Sequence, residues 1–190
     1  MPGARSLLLP LLALAMPAHA AEVVVHVVRG GEAFEIEAHA EFEGSIARTW
    51  QVLTDYGRIP DYVPGVASSR VISRDRNGAV VEQKGEANVL FFSYPIDVRL
   101  VIAERPYDRL ESRAVAGNFR EMRSAYELEV AEGRVLLRYT GRMIPDFYVP
   151  PLIGTWILRR HVEETFRALV EEIERRQRGA AAPPEKGRDP

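Results

Sequence analysis

Short apolar runs with a period of two, followed by one long helical stripe, constrain the fold of this chain more than any other feature. One run alternates apolar with polar residues and carries Phe34, Ile36, Ala38, Ala40 and Phe42 on its apolar side. Such alternation is typical of a strand with one buried face. It recurs in residues 96–102, 122–130 and 135–139. Successive short strands of this kind predict an antiparallel meander.

Turn-forming residues separate these runs. Asn77-Gly78 is the strongest signal, because both residues tolerate the positive φ of a two-residue hairpin turn. The glycines of Arg29-Gly30-Gly31 predict an earlier hairpin, and Glu132-Gly133 predicts a turn late in the meander. The strands should therefore pair mainly with their neighbours in the chain.

Two short helices are expected between the first hairpin and the meander. The Ser45 hydroxyl can cap a helix N-terminus, and the apolar spacing predicts a helix over residues 46–56. Gly57 suits the left-handed position after that helix. Pro60 fits the first turn of a second, very short helix.

One long helix is expected after Pro150-Pro151. Its apolar stripe consists of Leu158, Val162, Phe166, Leu169 and Ile173. Trp156 lies outside the stripe, which predicts that the first half of the helix is buried on more than one side. This helix is the only long element left to cover the apolar face of the sheet. The expected fold is therefore α+β: a helix-grip fold, in which a curved antiparallel β-sheet wraps around a long C-terminal α-helix and leaves a cavity, with two short helices after the first core strand.

The N-terminal segment has the composition of an export signal. An arginine precedes an apolar stretch over residues 7–16, and the small-x-small sequence Ala18-His19-Ala20 follows. The stretch is too short to span a bilayer as a helix. We therefore expect a signal peptide over residues 1–20, a periplasmic domain over residues 21–178 without a stable membrane anchor, and a disordered tail over residues 179–190.

Composition argues against several classes of function. The chain has no cysteine, which excludes disulfides and thiol chemistry. Its net charge of -2, with both signs interleaved, gives no basic field for nucleic acid. Neither a Gly-x-Ser-x-Gly elbow nor a phosphate-binding glycine loop occurs. His161 and Glu164 have the one-turn spacing of a metal pair, but no third ligand accompanies them. We expect both at the surface, with no metal and no cofactor.

With these elements in place, the sequence resembles the START-like, or polyketide cyclase/dehydrase (SRPBCC), superfamily, near its coenzyme Q-binding branch. The resemblance rests on the segments WQVLTDYGRIPDYVPGVASSRVI and GNFREMRSAYELE and on the helix after VPPLIGTWILRR. It covers roughly residues 33–176. It implies an internal cavity for a lipid, a quinone or another apolar small molecule. It does not imply one chemistry, because a shared fold carries function poorly.

Aromatic and apolar side chains are the candidates for the cavity wall, because ligand pockets are mostly apolar with a few polar groups. The expected ligand-binding set is Trp50, Tyr62, Phe91, Phe92, Tyr94, Met122, Tyr126, Tyr139 and Trp156. Each of these residues could equally fill a core. Strand alternation directs Arg99, Arg123 and Arg138 to solvent. Asp55 and Asp61 have structural roles at the short helices, so no catalytic residue is predicted.

Three hypotheses about function follow from these observations. The first, which we favour, is an exported binding protein for a hydrophobic small molecule or lipid, either quinone-like or acyl. The second is a cyclase or dehydratase acting on an apolar substrate, with a cavity tyrosine or arginine as acid or oxyanion stabiliser. The third is an envelope protein-protein interaction module, which a contiguous exposed apolar patch would favour. The oligomeric state stays open.

Overall fold

The structure, a computed structural model, describes residues 21–89, 92–150 and 153–181. The expected signal peptide and residues 182–190 lie outside these ranges. The elements follow the order β1 (Glu22–Gly30), β2 (Ala33–Glu43), α1 (Ile46–Leu53), a 3₁₀ helix (Tyr56–Asp61), β3 (Val66–Arg74), β4 (Gly78–Val89), β5 (Phe92–Arg105), β6 (Arg109–Gly117), β7 (Phe119–Ala131), β8 (Arg134–Pro145) and α2 (Gly154–Ala181). Helix α2 continues through Gly179 to Ala181, so its last three residues fall within the expected tail, and disorder beyond them stays a prediction. One glycine near a helix end costs little, and the alanines after it favour helix.

The eight strands form one antiparallel sheet in the order β1-β2-β8-β7-β6-β5-β4-β3. The first hairpin joins the far end of the meander, because β2 pairs with β8. Buried and exposed residues alternate along β2, and Ile36 and Phe42 lie on its buried face. Helix α2 covers this face with Phe166 and Ile173, which pack in the same core. The expected helix-grip fold is confirmed.

The first two hairpins occur where their turn residues predicted them, but Gly31 and Gly78 have different roles. Gly31, between β1 and β2, has φ +64, which glycine adopts without strain. Gly78 has no positive φ, and the β3–β4 loop is longer than two residues, since Arg74 pairs with Ala79. Within this loop the Asn77 backbone N–H donates to Asp75 Oδ1 (2.7 Å). A Cβ at Gly78 would lie 1.9 Å from the Ile102 carbonyl oxygen of β5. Close approach of that strand therefore requires this glycine.

Helix α1 ends at Leu53, earlier than expected. The hydroxyl and the backbone N–H of Thr54 both donate to the Trp50 carbonyl (2.8 and 3.0 Å) and so complete the last turn. Gly57 consequently lies inside the 3₁₀ helix without a positive φ, and its expected left-handed role is wrong. Ser45 occupies the N-cap position, but its side chain makes no capping hydrogen bond.

Helix α2 is amphipathic over its length. Its predicted stripe faces the sheet, with Val162, Phe166, Leu169 and Ile173 buried and Leu158 packed against the same core. Charged pairs such as Arg160–Glu164 (2.8 Å) occupy the opposite side. Across the described ranges, neither helix has the length and apolar character needed to cross a membrane. The helix is therefore placed to close one side of an interior space.

Candidate ligand cavity

A cavity with two adjoining lobes lies between the inner face of the sheet and α2. The first lobe, of about 270 Å³, reaches the two short helices at Leu53 and Ile59. The second lobe, of about 210 Å³, reaches the segment after β8 at Phe147 and Val149. Both lobes are lined by Val66, Gln83, Met122, Met143, Leu158 and His161. Together the lobes fall within the range of about 300–1000 Å³ that is typical of small-molecule sites.

Three aromatic rings form one wall of the first lobe. The ring centroids of Tyr126 on β7 and Tyr139 on β8 lie 4.8 Å apart. Phe166 on α2 lies 6.1 Å from the first ring and 5.9 Å from the second. These are ordinary distances for packed aromatic pairs. The cluster joins the sheet to the helix and gives this lobe an apolar wall that carries two hydroxyl groups.

A short row of hydroxyl groups crosses the sheet at the same place. Ser112 and Ser124 stand opposite each other on β6 and β7, and their Oγ atoms are 2.8 Å apart. Burial raises the pKa of Tyr139, and a hydrogen bond with the Ser124 hydroxyl partly offsets that rise. A Cβ at Gly141 would lie 2.7 Å from Tyr139 Oη, so this glycine leaves room for the tyrosine ring. The two serine hydroxyl groups thus pair with each other.

The Tyr126 hydroxyl is different, because no described residue makes a hydrogen bond with it. Burial raises the pKa of Tyr126, and the neighbouring Tyr139 and Tyr62 act in the same direction. The group is therefore neutral at any physiological pH. Tyr62, by comparison, donates its hydroxyl to the Val52 carbonyl (3.1 Å), and burial raises its pKa to about 12 against the opposing effect of Arg176.

His161 faces both lobes, which corrects the expected surface position of this residue. On a helix it lies about 60° from the stripe residue Leu158, on the side that meets the sheet. Burial lowers the pKa of His161, and Glu164 opposes this only partly. No hydrogen bond to its imidazole occurs within the described part of the chain. His161 therefore presents a neutral polar ring to the cavity.

A buried group of charges ties α2 to the short helices beside the first lobe. Arg175 donates two hydrogen bonds of 2.7 Å to the Glu172 carboxylate. Arg176 donates to Glu172 with one nitrogen and to Asp55 with another (2.5 and 2.8 Å), and its guanidinium lies 6.0 Å from the Tyr62 ring. The hydrogen bonds from Arg175 lower the pKa of Glu172 to about 2, although burial opposes this and Arg176 reinforces it. The group fixes the end of the cavity.

The expected ligand-binding residues divide into those that line the cavity and those that do not. Tyr62, Tyr126 and Tyr139 line the first lobe, and Met122 lines both lobes. Phe91 lies outside the described residues, as does the side chain of Phe92.

Three other expected residues lie elsewhere. Trp50 is buried, but its ring packs 6.0 Å from Tyr107 and borders neither lobe. Tyr94 stacks on Phe147, which itself lines the second lobe, at 5.2 Å. Trp156 is 58% exposed, with Arg160 over its ring. Large aromatic side chains also pack at the edges of a core, so residue type alone did not locate the lobes, and ligand binding by these three residues stays a prediction.

Several polar lining residues were missed by sequence reasoning. They are Gln83, Ser112, Ser124 and Thr165. Strand alternation could have identified Ser112, which shares its face with the buried Leu110, and likewise Ser124. These residues were passed over because serine is usually exposed.

The outward face of the sheet carries a larger, open depression of about 520 Å³. Charged side chains such as Arg113, Arg123 and Glu111 make up nearly half of its lining residues. Arg99, Arg123 and Arg138 are all about half or more exposed, which confirms their expected outward direction. This surface has the mixed charges of a solvated sheet rather than the apolar lining of a ligand pocket.

Candidate metal and acid-base groups have structural partners instead. Within the described ranges, no three side chains suited to a metal ion come together. Glu164 pairs with Arg160, Asp61 pairs with Arg58 (2.8 Å), and Asp55 belongs to the Arg176 group. The only titratable groups that line the first lobe, among described residues, are tyrosines and His161.

Comparisons with known proteins agree with this architecture. A family model described as polyketide cyclase/dehydrase and lipid transport matches residues 43–174. No curated protein matches the sequence. A Streptomyces aromatase/cyclase superposes with a TM-score of 0.64 at 16% identity, covering 86% of this chain and 99% of its own. A STAR-related lipid transfer protein from Xanthomonas axonopodis superposes with a TM-score of 0.64 at 14% identity, covering 85% of this chain and 98% of its own. Human StAR-related lipid transfer protein 5 superposes with a TM-score of 0.64 at 12% identity, covering 80% of this chain and 88% of its own.

Proposed function

Because the chain belongs to the polyketide cyclase/dehydrase and lipid-transport family, we propose that it binds a hydrophobic small molecule or lipid in the two-lobed cavity. The observation that carries this proposal is the space itself, which is enclosed by sheet and helix and lined mainly by apolar side chains. A chain that needed only a core would gain stability by filling these lobes, because empty apolar volume is costly. The narrower placement near the coenzyme Q-binding proteins stays a prediction.

We further propose that the protein acts outside the cytoplasm, in the periplasm. The proposal rests on the apolar stretch and the small-x-small sequence of residues 1–20. Fractionation of cells that express the full chain tests it, together with N-terminal sequencing of the product. A mature N-terminus near Ala21 in the periplasmic fraction is expected, and an uncleaved cytoplasmic chain would reject the proposal.

Ligand binding can be tested directly on the purified protein. Native mass spectrometry and solvent extraction of protein from its native host should reveal a bound apolar molecule. Displacement of the neutral fluorescent probe N-phenyl-1-naphthylamine then gives affinities. Leu158→Trp, at the junction of both lobes, should weaken probe binding about tenfold or more, since an indole there occupies the ligand volume.

The matched control introduces the same side chain outside the cavity. Ile72 is 45% exposed, so Ile72→Trp should leave probe binding unchanged. Equal effects of the two variants, or no bound molecule together with no probe binding, would reject the proposed function.

A second candidate is a cyclase or dehydratase acting on an apolar substrate. It is favoured by the neutral imidazole of His161 and the unpaired hydroxyl of Tyr126, which could accept and donate a proton at the same cavity. Incubation with a linear poly-β-ketone analogue, followed by mass spectrometry, tests it. Loss of water that depends on both side chains is expected, and an unchanged substrate rejects this candidate.

A further inference from the structure

The wall of the first lobe restricts the chemistry of what can enter it. Resting on the proposed function, we propose that the bound molecule is electrically neutral and inserts a neutral oxygen, a carbonyl or hydroxyl, into the first lobe, where it pairs with the Tyr126 hydroxyl. An ionised fatty acid or another anion is then excluded as the preferred ligand.

Within the described part of the chain, the first lobe offers no charged side chain that could pair with an ionic ligand. Among the described residues that line the first lobe, none is an aspartate, glutamate, lysine or arginine. The titratable groups there are kept neutral, because burial raises the pKa of Tyr126 and lowers that of His161. An ion placed in such surroundings loses its hydration and gains no partner, which is strongly unfavourable.

The nearest charged groups are already committed or lie at the rim. Arg176 is held by Glu172 and Asp55 behind the Tyr62 ring. Lys84 and Glu86 line the second lobe, and the Lys84 side chain is 55% exposed and lies 3.3 Å from Asp97. An anionic head could therefore bind only at this rim, with its hydrocarbon tail in the first lobe.

The unpaired hydroxyl of Tyr126 favours a ligand that carries a polar group at its inner end. A hydrocarbon tail in the first lobe would cover the Tyr126 hydroxyl without giving it a partner, and covering an unsatisfied polar group is unfavourable. Several other hydroxyls of the lobe already have protein partners, since Tyr62 donates to the Val52 carbonyl, Tyr56 donates to Glu104, and Ser112 pairs with Ser124. A neutral oxygen at the leading end of the ligand satisfies the Tyr126 hydroxyl. Sites built in this way discriminate strongly against molecules that lack the polar group.

Three ligands of equal chain length test the proposal: dodecanol, dodecanoate and dodecane, each displacing N-phenyl-1-naphthylamine at pH 8. Dodecanol should bind about tenfold or more tightly than dodecanoate, because only the alcohol can enter the first lobe with its polar end. Tyr126→Phe should weaken dodecanol binding about five- to tenfold, the loss of one hydrogen bond, and should tighten dodecane binding, because the hydrocarbon no longer covers an unpaired hydroxyl. The control Tyr148→Phe, at a side chain that is 70% exposed, should change neither.

The outcomes separate this inference from the proposed function. If dodecanoate binds as tightly as dodecanol, the inference is wrong while ligand binding stands, and loss of that affinity in Lys84→Gln would place the carboxylate at the rim. If Tyr126→Phe weakens dodecane as much as dodecanol, the hydroxyl is not the recognition group and the inference is again overturned. If neither the neutral probe nor any of the three ligands binds, the proposed function itself fails. The comparison of ligands uses the unaltered protein, so it does not depend on the folding of a variant.

Discussion

Replacing Glu172 with glutamine should destabilise the protein in a way that depends strongly on pH. The Glu172 side chain is 7% exposed and accepts hydrogen bonds from both Arg175 and Arg176. Glutamine keeps the shape but removes the negative charge, and among the described residues it leaves Arg176, whose side chain is 16% exposed, with only Asp55 as an anionic partner. Because Asp55 precedes the 3₁₀ helix, the substitution loosens the contact between α2 and the end of the cavity.

The size of the effect follows from the pKa of Glu172. Arg175 is the main cause of its fall from 4.5 to about 2. At about 1.4 kcal/mol per pKa unit, the shift corresponds to at most about 3.5 kcal/mol of stability. Solvent screens part of this, since the Arg175 side chain is 60% exposed. We therefore expect Glu172→Gln to lower the free energy of unfolding by about 2 kcal/mol at pH 7.

The sign of the pH dependence is set by the folded carboxyl, whose pKa lies below its unfolded value. Its contribution is fully present above pH 4.5 and is lost as the pH falls toward 2. Urea unfolding at pH 7, 5, 4 and 3 should thus show the two proteins converging as the pH decreases. The control Glu164→Gln removes an exposed pair with Arg160 and should cost less than about 0.5 kcal/mol. Equal costs for the two variants, or a difference that does not shrink in acid, would refute the reasoning.

Two further predictions concern the interior histidine and two glycines. The pKa of His161 measured by NMR should lie below 6.5, and a value at or above 6.5 would contradict burial in the cavity wall. Because the folded state favours the neutral imidazole, the free energy of unfolding should fall as the pH drops below about 6.5, and His161→Asn should remove that pH dependence. Gly78→Ala should cost more than about 3 kcal/mol in urea unfolding, because its Cβ would meet a backbone oxygen at 1.9 Å. A Cβ at Gly133 would meet no neighbouring atom, but the residue has φ +77, so Gly133→Ala should lower the free energy of unfolding by only about 1 kcal/mol. A similar loss in Gly78→Ala and Gly133→Ala would show that β4 and β5 can separate easily.

Short sequence patterns were sufficient to predict the fold. The physical requirement for a residue in such a pattern sometimes comes from a distant part of the chain. Asn77-Gly78 marks a hairpin, as expected, yet Gly78 is required by the neighbouring strand at Ile102 rather than by the turn. A rule about turns considers only adjacent residues, so it cannot detect an approach from a strand more than twenty positions away.

The residues of the cavity wall were harder to predict, because the choice of candidates followed aromatic residue type more than the direction in which each side chain points. At 100° per residue, Trp156 lies about 160° from Leu158, and His161 lies about 60° from it. The helical stripe alone therefore favours an exposed tryptophan and an interior histidine, as the structure shows. The volume of the lobes was beyond reach, because it depends on details such as the room that Gly141 leaves for the Tyr139 ring.

The two methionines between the lobes have a consequence for the range of ligands. Met122 on β7 stands directly opposite Met143 on β8, and both border each lobe. An unbranched thioether chain changes rotamer at little cost, so the boundary between the lobes can shift without movement of either strand. A pair of β-branched residues at the same positions would hold that boundary fixed. Under the proposed function, this boundary would let the cavity accept ligands that share a polar end and differ in length, which suits a homologous series.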